Sequence, residues 1–166
     1  MSAVVTASVE LPGIPGPKAF AAMVDLAAQQ RWMIATRLYP VQADVPVPLA
    51  GSRVAAFTGV GGVGFLDTMT VTAYDPPHRW VVDKDGDLLR GIGTMRVTPT
   101  PGGCRATWSN ELTLPFGLLG RVTFLVIRPV AELALRACLH RLARMLQSGV
   151  LPGDLPLPDD ERKVPQ

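Results

Sequence analysis

Residues 36–114 form a series of short β-rich segments separated by tight turns, and this series limits the possible folds more than any other feature. The segments are rich in Val, Thr and aromatic residues and are bounded by Gly, Pro or Asp, which is typical of strands. Short turns such as Gly61-Gly62 and Asp85-Gly86 predict hairpins, so consecutive strands should be antiparallel. The predicted strands are 36–42, 52–60, 65–74, 79–83, 88–98 and 105–114.

Further elements are predicted on both sides of this series. Residues 3–11 predict a first strand, and a turn rich in Pro and Gly separates it from a predicted helix at 18–30, with a short second helix near 31–34. A long amphipathic helix is predicted at 116–148. Pro129 lacks an amide donor, so it should kink this helix or begin its second segment. Beyond Pro129 the predicted apolar face comprises Ala131, Ala134, Leu135, Cys138, Leu142 and Met145.

The order of these elements predicts the architecture. An antiparallel sheet with one apolar face must be covered, and the final helix is long enough to cover it. We therefore expect an α+β fold in which a seven-stranded antiparallel sheet wraps around a long C-terminal helix, with two short helices after the first strand. Of the 166 residues, 48% are hydrophobic, which suits one globular domain, and we assign it to residues 1–149. Residues 150–166 show no periodicity and are predicted to be a disordered tail.

Charge and cysteine content argue against several classes of protein. The net charge is only +2, which argues against a nucleic-acid-binding domain. Residues 116–149 contain five Arg and one Glu, but the sheet already needs the apolar face of this helix, so membrane contact is a minor hypothesis. Neither Cys104 nor Cys138 has a second Cys or His at metal-ligand spacing, and we predict no metal site and no cofactor. The N-terminal residues do not resemble a signal peptide, so we expect a reduced, cytoplasmic protein that is a monomer or a homodimer.

The segment from Gly59 to Gly64 matches the G-x-G-x-x-G pattern of dinucleotide-binding proteins. In those proteins the pattern joins a strand to a helix whose N-terminus receives the pyrophosphate. Here residues 65–74 contain three alternating threonines and are followed by two prolines, which indicates a strand. The glycines therefore predict a hairpin turn and not a nucleotide site.

Three charged residues, Asp67, Arg90 and Glu111, lie within predicted strands. A charged group that faces inwards must be paired or hydrated, so these three are the candidate polar or catalytic residues of an internal site. The alternative is that a sheet edge or a β-bulge turns them to solvent. Strand alternation places Asp67 on one face with four apolar residues, Phe65, Met69, Val71 and Ala73.

Several aromatic residues and one methionine lie in the predicted sheet or at its ends. Most should belong to the core, but the same residues would line an apolar pocket, because small-molecule sites have apolar walls with a few polar groups. A filled and a hollow interior remain alternatives at this point. The candidate ligand-binding residues are Trp32, Phe57, Phe65, Met69, Trp80 and Trp108.

Several stretches of the sequence, taken with the order of elements, are similar to a known superfamily. They are Trp32-Met33, the segment GFLDTMTVTAYDPPHRW at 64–80, the segment RGIGTM at 90–95, and Thr107-Trp108 followed by Leu114-Pro115. In these stretches the sequence resembles the START/Bet v 1 superfamily (SRPBCC), and in particular its bacterial polyketide cyclase/dehydrase-like branch, which is often seen in actinobacteria. The resemblance covers residues 3–149.

The resemblance implies a helix-grip fold that encloses a hydrophobic cavity, with the 59–64 hairpin as a gate loop over its mouth. Members of the superfamily include polyketide aromatase/cyclases, lipid and quinone carriers, hormone receptors and a few toxin components. No catalytic set of the family maps onto this sequence. This favours binding or carriage of a lipid-like, polyketide or polyaromatic molecule, in a cavity between the sheet and the C-terminal helix, over catalysis. The alternatives are a polyketide cyclase/dehydratase that uses Asp67, Arg90 or Glu111 as acid/base groups, and a toxin-like or protein-interaction module.

Overall fold

The computed structural model describes residues 2–41, 49–60, 62–86, 90–113 and 117–149. Within these ranges the chain forms a curled antiparallel sheet and three helices. In chain order the elements are β1 (Ser2–Pro12), α1 (Gly16–Val24), α2 (Leu26–Trp32), β2 (Thr36–Pro40), β3 (Arg53–Val60), β4 (Val63–Asp75), β5 (Arg79–Asp85), β6 (Arg90–Thr100), β7 (Gly103–Thr113) and α3 (Gly117–Gln147).

The strand order across the sheet is β1-β7-β6-β5-β4-β3-β2, so β2 to β7 pair with their neighbours in sequence. The first strand completes the sheet by pairing with the last along its whole length, from Ser2 opposite Thr113 to Pro12 opposite Gly103. The predicted α+β fold is therefore confirmed, with its seven antiparallel strands, its two short helices after β1 and its long C-terminal helix.

The glycine-rich segment between β3 and β4 is part of a hairpin, as its sequence predicts. Val60 at the end of β3 lies directly opposite Val63 at the start of β4. Gly62 has φ of +84°, a conformation that glycine adopts without steric cost. Gly59 and Gly64 face each other so closely that a Cβ on either would lie 2.6 Å from the Cα of the other. These glycines therefore serve the backbone geometry of the hairpin.

Asp25 divides the helix predicted at 18–30 into two. Its backbone is extended and ends α1, and its side chain accepts a hydrogen bond of 2.7 Å from the amide of Ala28. An aspartate that accepts from the first turn is a strong N-cap. The break between the two helices therefore lies at Asp25, and not near residue 31 as the sequence pattern suggests.

A β-bulge in β4 corrects the predicted face of one residue. The pairing with β5 shifts between Val71 and Ala73, after which Tyr74 lies opposite Trp80. Tyr74 faces inwards and contacts Phe20, with ring centroids 6.0 Å apart. Because the extra residue of a bulge reverses the alternation, Ala73 does not share the inner face that the sequence assigns to it.

Helix α3 packs across β1 and closes one side of the core. Pro129 lies inside this helix and not at its start. Ala134, which the sequence places on the apolar face, is exposed, because the buried stripe is rotated by about one residue. The buried residues of the stripe are Leu135, Cys138, Leu139, Leu142, Ala143 and Leu146.

Two further predictions concern the membrane and the tail. Among the residues that the structure describes, no helix is long and apolar enough to cross a membrane. The tail predicted at 150–166 lies outside the described residues.

Replacing Leu139 by Ala should lower the free energy of unfolding by about 2–5 kcal/mol, because Leu139 is fully buried and its truncation leaves a cavity in the core. Urea unfolding followed by circular dichroism measures the change. Leu133→Ala is the matched control on the same helix, since Leu133 is 63% exposed, and it should cost less than about 0.5 kcal/mol. Equal losses in the two variants would contradict this orientation of α3.

Candidate functional site

A cavity lies on the inner face of the sheet, beside α2. Its volume is about 110 Å³, several times what a single water molecule needs but below the roughly 300–1,000 Å³ of a typical small-molecule site. Its wall is formed by side chains from β2 to β7, by Gln29 of α2 and by Met33 just after α2. The cavity is therefore formed mainly by six of the seven strands, and none of the lining side chains that the structure describes comes from α3, although the sequence predicts a cavity between the sheet and this helix.

Strand alternation determines which side chains reach the cavity. Strand β5 contributes Trp80, Val82 and Lys84, and β7 contributes Trp108 and Asn110. Residues between them in sequence point to the other face of the sheet. One face of each strand therefore builds the cavity wall, and the other face is turned away from it.

Small residues leave space in the middle of this wall. Ala56 and Gly93 both line the cavity. A Cβ on Gly93 would lie only 2.8 Å from Cγ2 of Val82 and 3.2 Å from Oδ1 of Asn110. The absence of a side chain at Gly93 thus leaves room for longer side chains from the neighbouring strands.

Asp67, Lys84 and Asn110 form a polar cluster in this otherwise mainly apolar wall. Nζ of Lys84 lies 2.5 Å from Oδ2 of Asp67, and the two side chains are only 13% and 3% exposed. Cε of Lys84 and Oδ1 of Asn110 lie on either side of Gly93, at 3.6 and 3.2 Å from the position that its Cβ would take. Three strands thus bring a buried ion pair and an amide to one place.

Two acceptor atoms of the polar cluster have no hydrogen-bond partner. Oδ1 of Asp67 and Oδ1 of Asn110 are both buried, and no described residue donates to either. Buried polar atoms are nearly always hydrogen-bonded, so unpaired acceptors on a cavity wall indicate that another molecule supplies the donors. Such an arrangement suits a ligand site or a site of acid/base chemistry.

Aromatic rings form the wall beside the polar cluster. Trp80 and Trp108 line the cavity, and the ring of Trp108 meets that of Trp32 edge to face, with centroids 5.7 Å apart and planes at 88°. Trp32 is fully buried, and its indole N–H donates to the carbonyl of Ala22 at 3.0 Å. Trp32 therefore supports Trp108 from behind and fixes one side of the cavity.

The structure brings five of the nine predicted site residues together. These five line the cavity, and they are Phe65, Asp67, Met69, Trp80 and Trp108. Trp32 lies behind the wall. Phe57 faces away, because its two neighbours Ala56 and Thr58 both point into the cavity.

The remaining two predicted residues, Arg90 and Glu111, are exposed. Glu111 directly follows Asn110, and Arg90 precedes Gly93 by an odd number of residues, so both belong to the face of the sheet opposite the cavity. The structure therefore places only Asp67 of the three charged candidates in the cavity wall.

Sequence reasoning did not single out Lys84, Asn110 or Gln29. Alternation with Trp80 and Trp108 indicates the inward face of the first two, because Lys84 is four residues after Trp80 and Asn110 two after Trp108. The amide of Gln29 donates to the carbonyl of Met23 at 2.6 Å, a contact that no local pattern indicates.

The cysteines do not add a nucleophile to the cavity. Burial raises the pKa of the Cys104 thiol, and the nearby Glu10 carboxylate raises it further. Burial also raises the pKa of the Cys138 thiol, although the amide of Ile34, which donates to its sulfur at 3.3 Å, works in the other direction. Neither thiol lines the cavity.

In the described part of the chain, no group of His, Cys, Asp and Glu residues could hold a metal ion.

Replacing Lys84 by Met should lower the free energy of unfolding by about 3 kcal/mol, because it leaves the buried carboxylate of Asp67 without its cation. Thermal and urea unfolding measure this loss. Arg53→Met is the matched control, since it breaks the exposed ion pair with Asp85, whose side chains are 49% and 46% exposed. Exposed pairs contribute at most about 1 kcal/mol, so a control as destabilised as Lys84→Met would contradict a special role for the buried pair.

The fold is shared with many solved structures. A crystal structure of a Thermus thermophilus protein has a TM-score of 0.70 at 16% identity, over 90% of this chain and 100% of that chain. The di-domain ARO/CYC StfQ from the steffimycin biosynthetic pathway has a TM-score of 0.69 at 15% identity, over 90% of this chain and 53% of its own. The solution structure of a Polyketide_cyc-like protein from Corynebacterium glutamicum has a TM-score of 0.62 at 14% identity, over 90% and 94%. At these identities the likeness shows the fold alone.

A comparison with curated proteins found no match. The family model described as polyketide cyclase / dehydrase and lipid transport matches residues 2–147, which include the whole described sheet and all of α3. The chain therefore belongs to the polyketide cyclase/dehydrase and lipid transport family, as the resemblance in its sequence predicts.

Proposed function

We propose that the protein binds and carries a hydrophobic small molecule, of lipid-like, polyketide or polyaromatic character, in the cavity on the inner face of the sheet beside α2. The observation that supports this most directly is the cavity itself, with an apolar wall and one buried polar cluster. Small-molecule sites combine apolar walls with a few polar groups that orient the ligand. The description of the family, which includes lipid transport, supports the same class of ligand.

The side chains of the wall suit a ligand that is held mainly by apolar contact. Trp80 and Trp108 offer large flat surfaces, and three methionines, Met33, Met69 and Met95, also line the cavity. Methionine is flexible and polarizable, so it adapts to ligands of different shapes. This wall therefore favours a planar or flexible apolar molecule over a polar metabolite.

The proposal extends to the setting in which the protein works. Cys104 and Cys138 are both free and buried, which supports a reducing compartment and hence the cytoplasm. We propose that the protein works as a monomer or a homodimer, with a hydrophobic small molecule as its partner and without nucleic acid or a cofactor.

A polyaromatic probe should quench the tryptophan fluorescence saturably, because the chain contains three Trp, of which Trp80 and Trp108 line the cavity and Trp32 contacts Trp108. Native mass spectrometry of the purified protein should also detect a co-purified apolar molecule. The absence of both signals would contradict the proposal.

Replacing Ala56 by Phe should weaken binding of the probe at least about tenfold, because the larger side chain occupies the cavity. Ala134→Phe adds the same side chain at an exposed position of α3 and should leave the affinity unchanged. Equal affinities in the two variants would place the ligand outside this cavity.

A second candidate function is a polyketide cyclase/dehydratase activity, and the polar cluster favours it. A cyclase needs a base that removes a proton from a methylene between two carbonyls, and a donor that stabilises the enolate oxygen. Asp67 has an unpaired carboxylate oxygen, and Lys84 is a cation in contact with it. These two residues are the ones that we would assign to these roles.

If the protein is such an enzyme, Asp67→Asn should reduce the turnover of a poly-β-keto thioester at least about tenfold, because an amide is not a base at neutral pH. Product formation is followed by chromatography. Arg90→Met is the internal control, since Arg90 is exposed and does not line the cavity, and its rate should equal that of the unmodified protein. An unchanged rate in Asp67→Asn would remove this residue from the mechanism.

A further inference from the structure

The two unpaired atoms of the polar cluster are both hydrogen-bond acceptors. Oδ1 of Asp67 and Oδ1 of Asn110 are buried without a donor, whereas Oδ2 of Asp67 is held by Lys84. The amide of Asn110 can turn over and exchange its oxygen for its nitrogen, but an ionised carboxylate can only accept. Oδ1 of Asp67 therefore needs a hydrogen-bond donor as its partner.

We propose that the ligand is a neutral apolar molecule with a hydroxyl group, such as a phenol or a long-chain alcohol, and that this hydroxyl binds at the polar cluster. The inference rests on the proposed function, because it assumes that the cavity binds an apolar molecule. The O–H group donates to Oδ1 of Asp67, and its oxygen accepts from one of the remaining protons of Lys84. One small group thus satisfies both members of the ion pair.

The charge of the wall disfavours an anionic head group. Lys84 and Asp67 are the charged residues among those that the structure describes as lining the cavity, and they already neutralise each other. A carboxylate ligand would meet the Asp67 carboxylate without an unpaired cation to balance it, which is strongly unfavourable in a buried site. A fatty acid is therefore a poorer ligand than the alcohol of the same chain length.

A ligand that only accepts hydrogen bonds is disfavoured for a different reason. A ketone or a methyl ether accepts from Lys84, but it leaves Oδ1 of Asp67 unpaired. Sites that bind a hydroxyl through buried polar groups reject analogues without it, because those groups then lose their partner. The expected order of affinity is hydroxyl first, methyl ether second and carboxylate last.

The test is isothermal titration calorimetry of the full chain with 2-naphthol, 2-methoxynaphthalene and 2-naphthoate at neutral pH. These probes share one ring system and differ in the polar group. We expect 2-naphthol to bind at least about tenfold more tightly than either of the others.

Other results would contradict either the inference alone or the proposed function as well. If the methyl ether binds as tightly as the phenol, water satisfies Asp67 and the inference is overturned, although the cavity remains a ligand site. A preference for 2-naphthoate overturns it as well. If none of the three probes binds, the proposed function fails together with the inference.

The variant Asp67→Asn locates the preference in the polar cluster. It removes the negative charge and frees Lys84 to pair with an anion, so the preference for 2-naphthol over 2-naphthoate should fall at least about tenfold. Asp83→Asn removes the same charge from an exposed position on the opposite face of β5 and should leave the preference unchanged. An unchanged preference in Asp67→Asn would overturn the assignment. Circular dichroism reports whether each variant folds, and if Asp67→Asn does not, the three-probe series on the unmodified protein decides.

Discussion

The site depends on the register between β4 and β5. Lys84 lies directly opposite Met69, which makes Asp67 its diagonal neighbour on the same face, within reach of a long side chain. A slip of one residue would turn Lys84 to solvent and leave Asp67 buried without a cation. The pairing of the two strands thus creates the ion pair, and the cost of an unpaired buried carboxylate in turn disfavours a slip by one residue.

The β-bulge in β4 lets this one strand serve both the cavity and the core. Before the bulge Asp67 and Met69 face the cavity, and after it Tyr74 faces inwards as well and contacts Phe20 of α1. Without the extra residue the alternation would turn Tyr74 outwards. Because of the bulge, residues before it line the cavity and Tyr74 after it packs against α1.

The parts of the structure that could be predicted are those that local patterns determine. Hairpin turns and periodicity predict the antiparallel sheet and the final helix, and alternation predicts the inward face of Asp67. The partnership of Asp67 with Lys84 could not be predicted, because it depends on which residues of two strands lie opposite each other. The same limit applies to Ala73, whose face depends on a bulge that no turn residue marks, and to the hollow interior, which depends on how side chains from six strands meet.

Stability alone does not explain the polar cluster. Proteins in which apolar residues of similar volume replace a buried ion pair are often as stable as the original or more stable, and a residue larger than Ala56 could fill part of the cavity. Instead, the chain combines an unfilled cavity with an unpaired carboxylate oxygen on its wall. A filled core would need neither feature, and an empty apolar cavity would not need Asp67. A bound molecule that is apolar along most of its surface and polar at one point accounts for both features together.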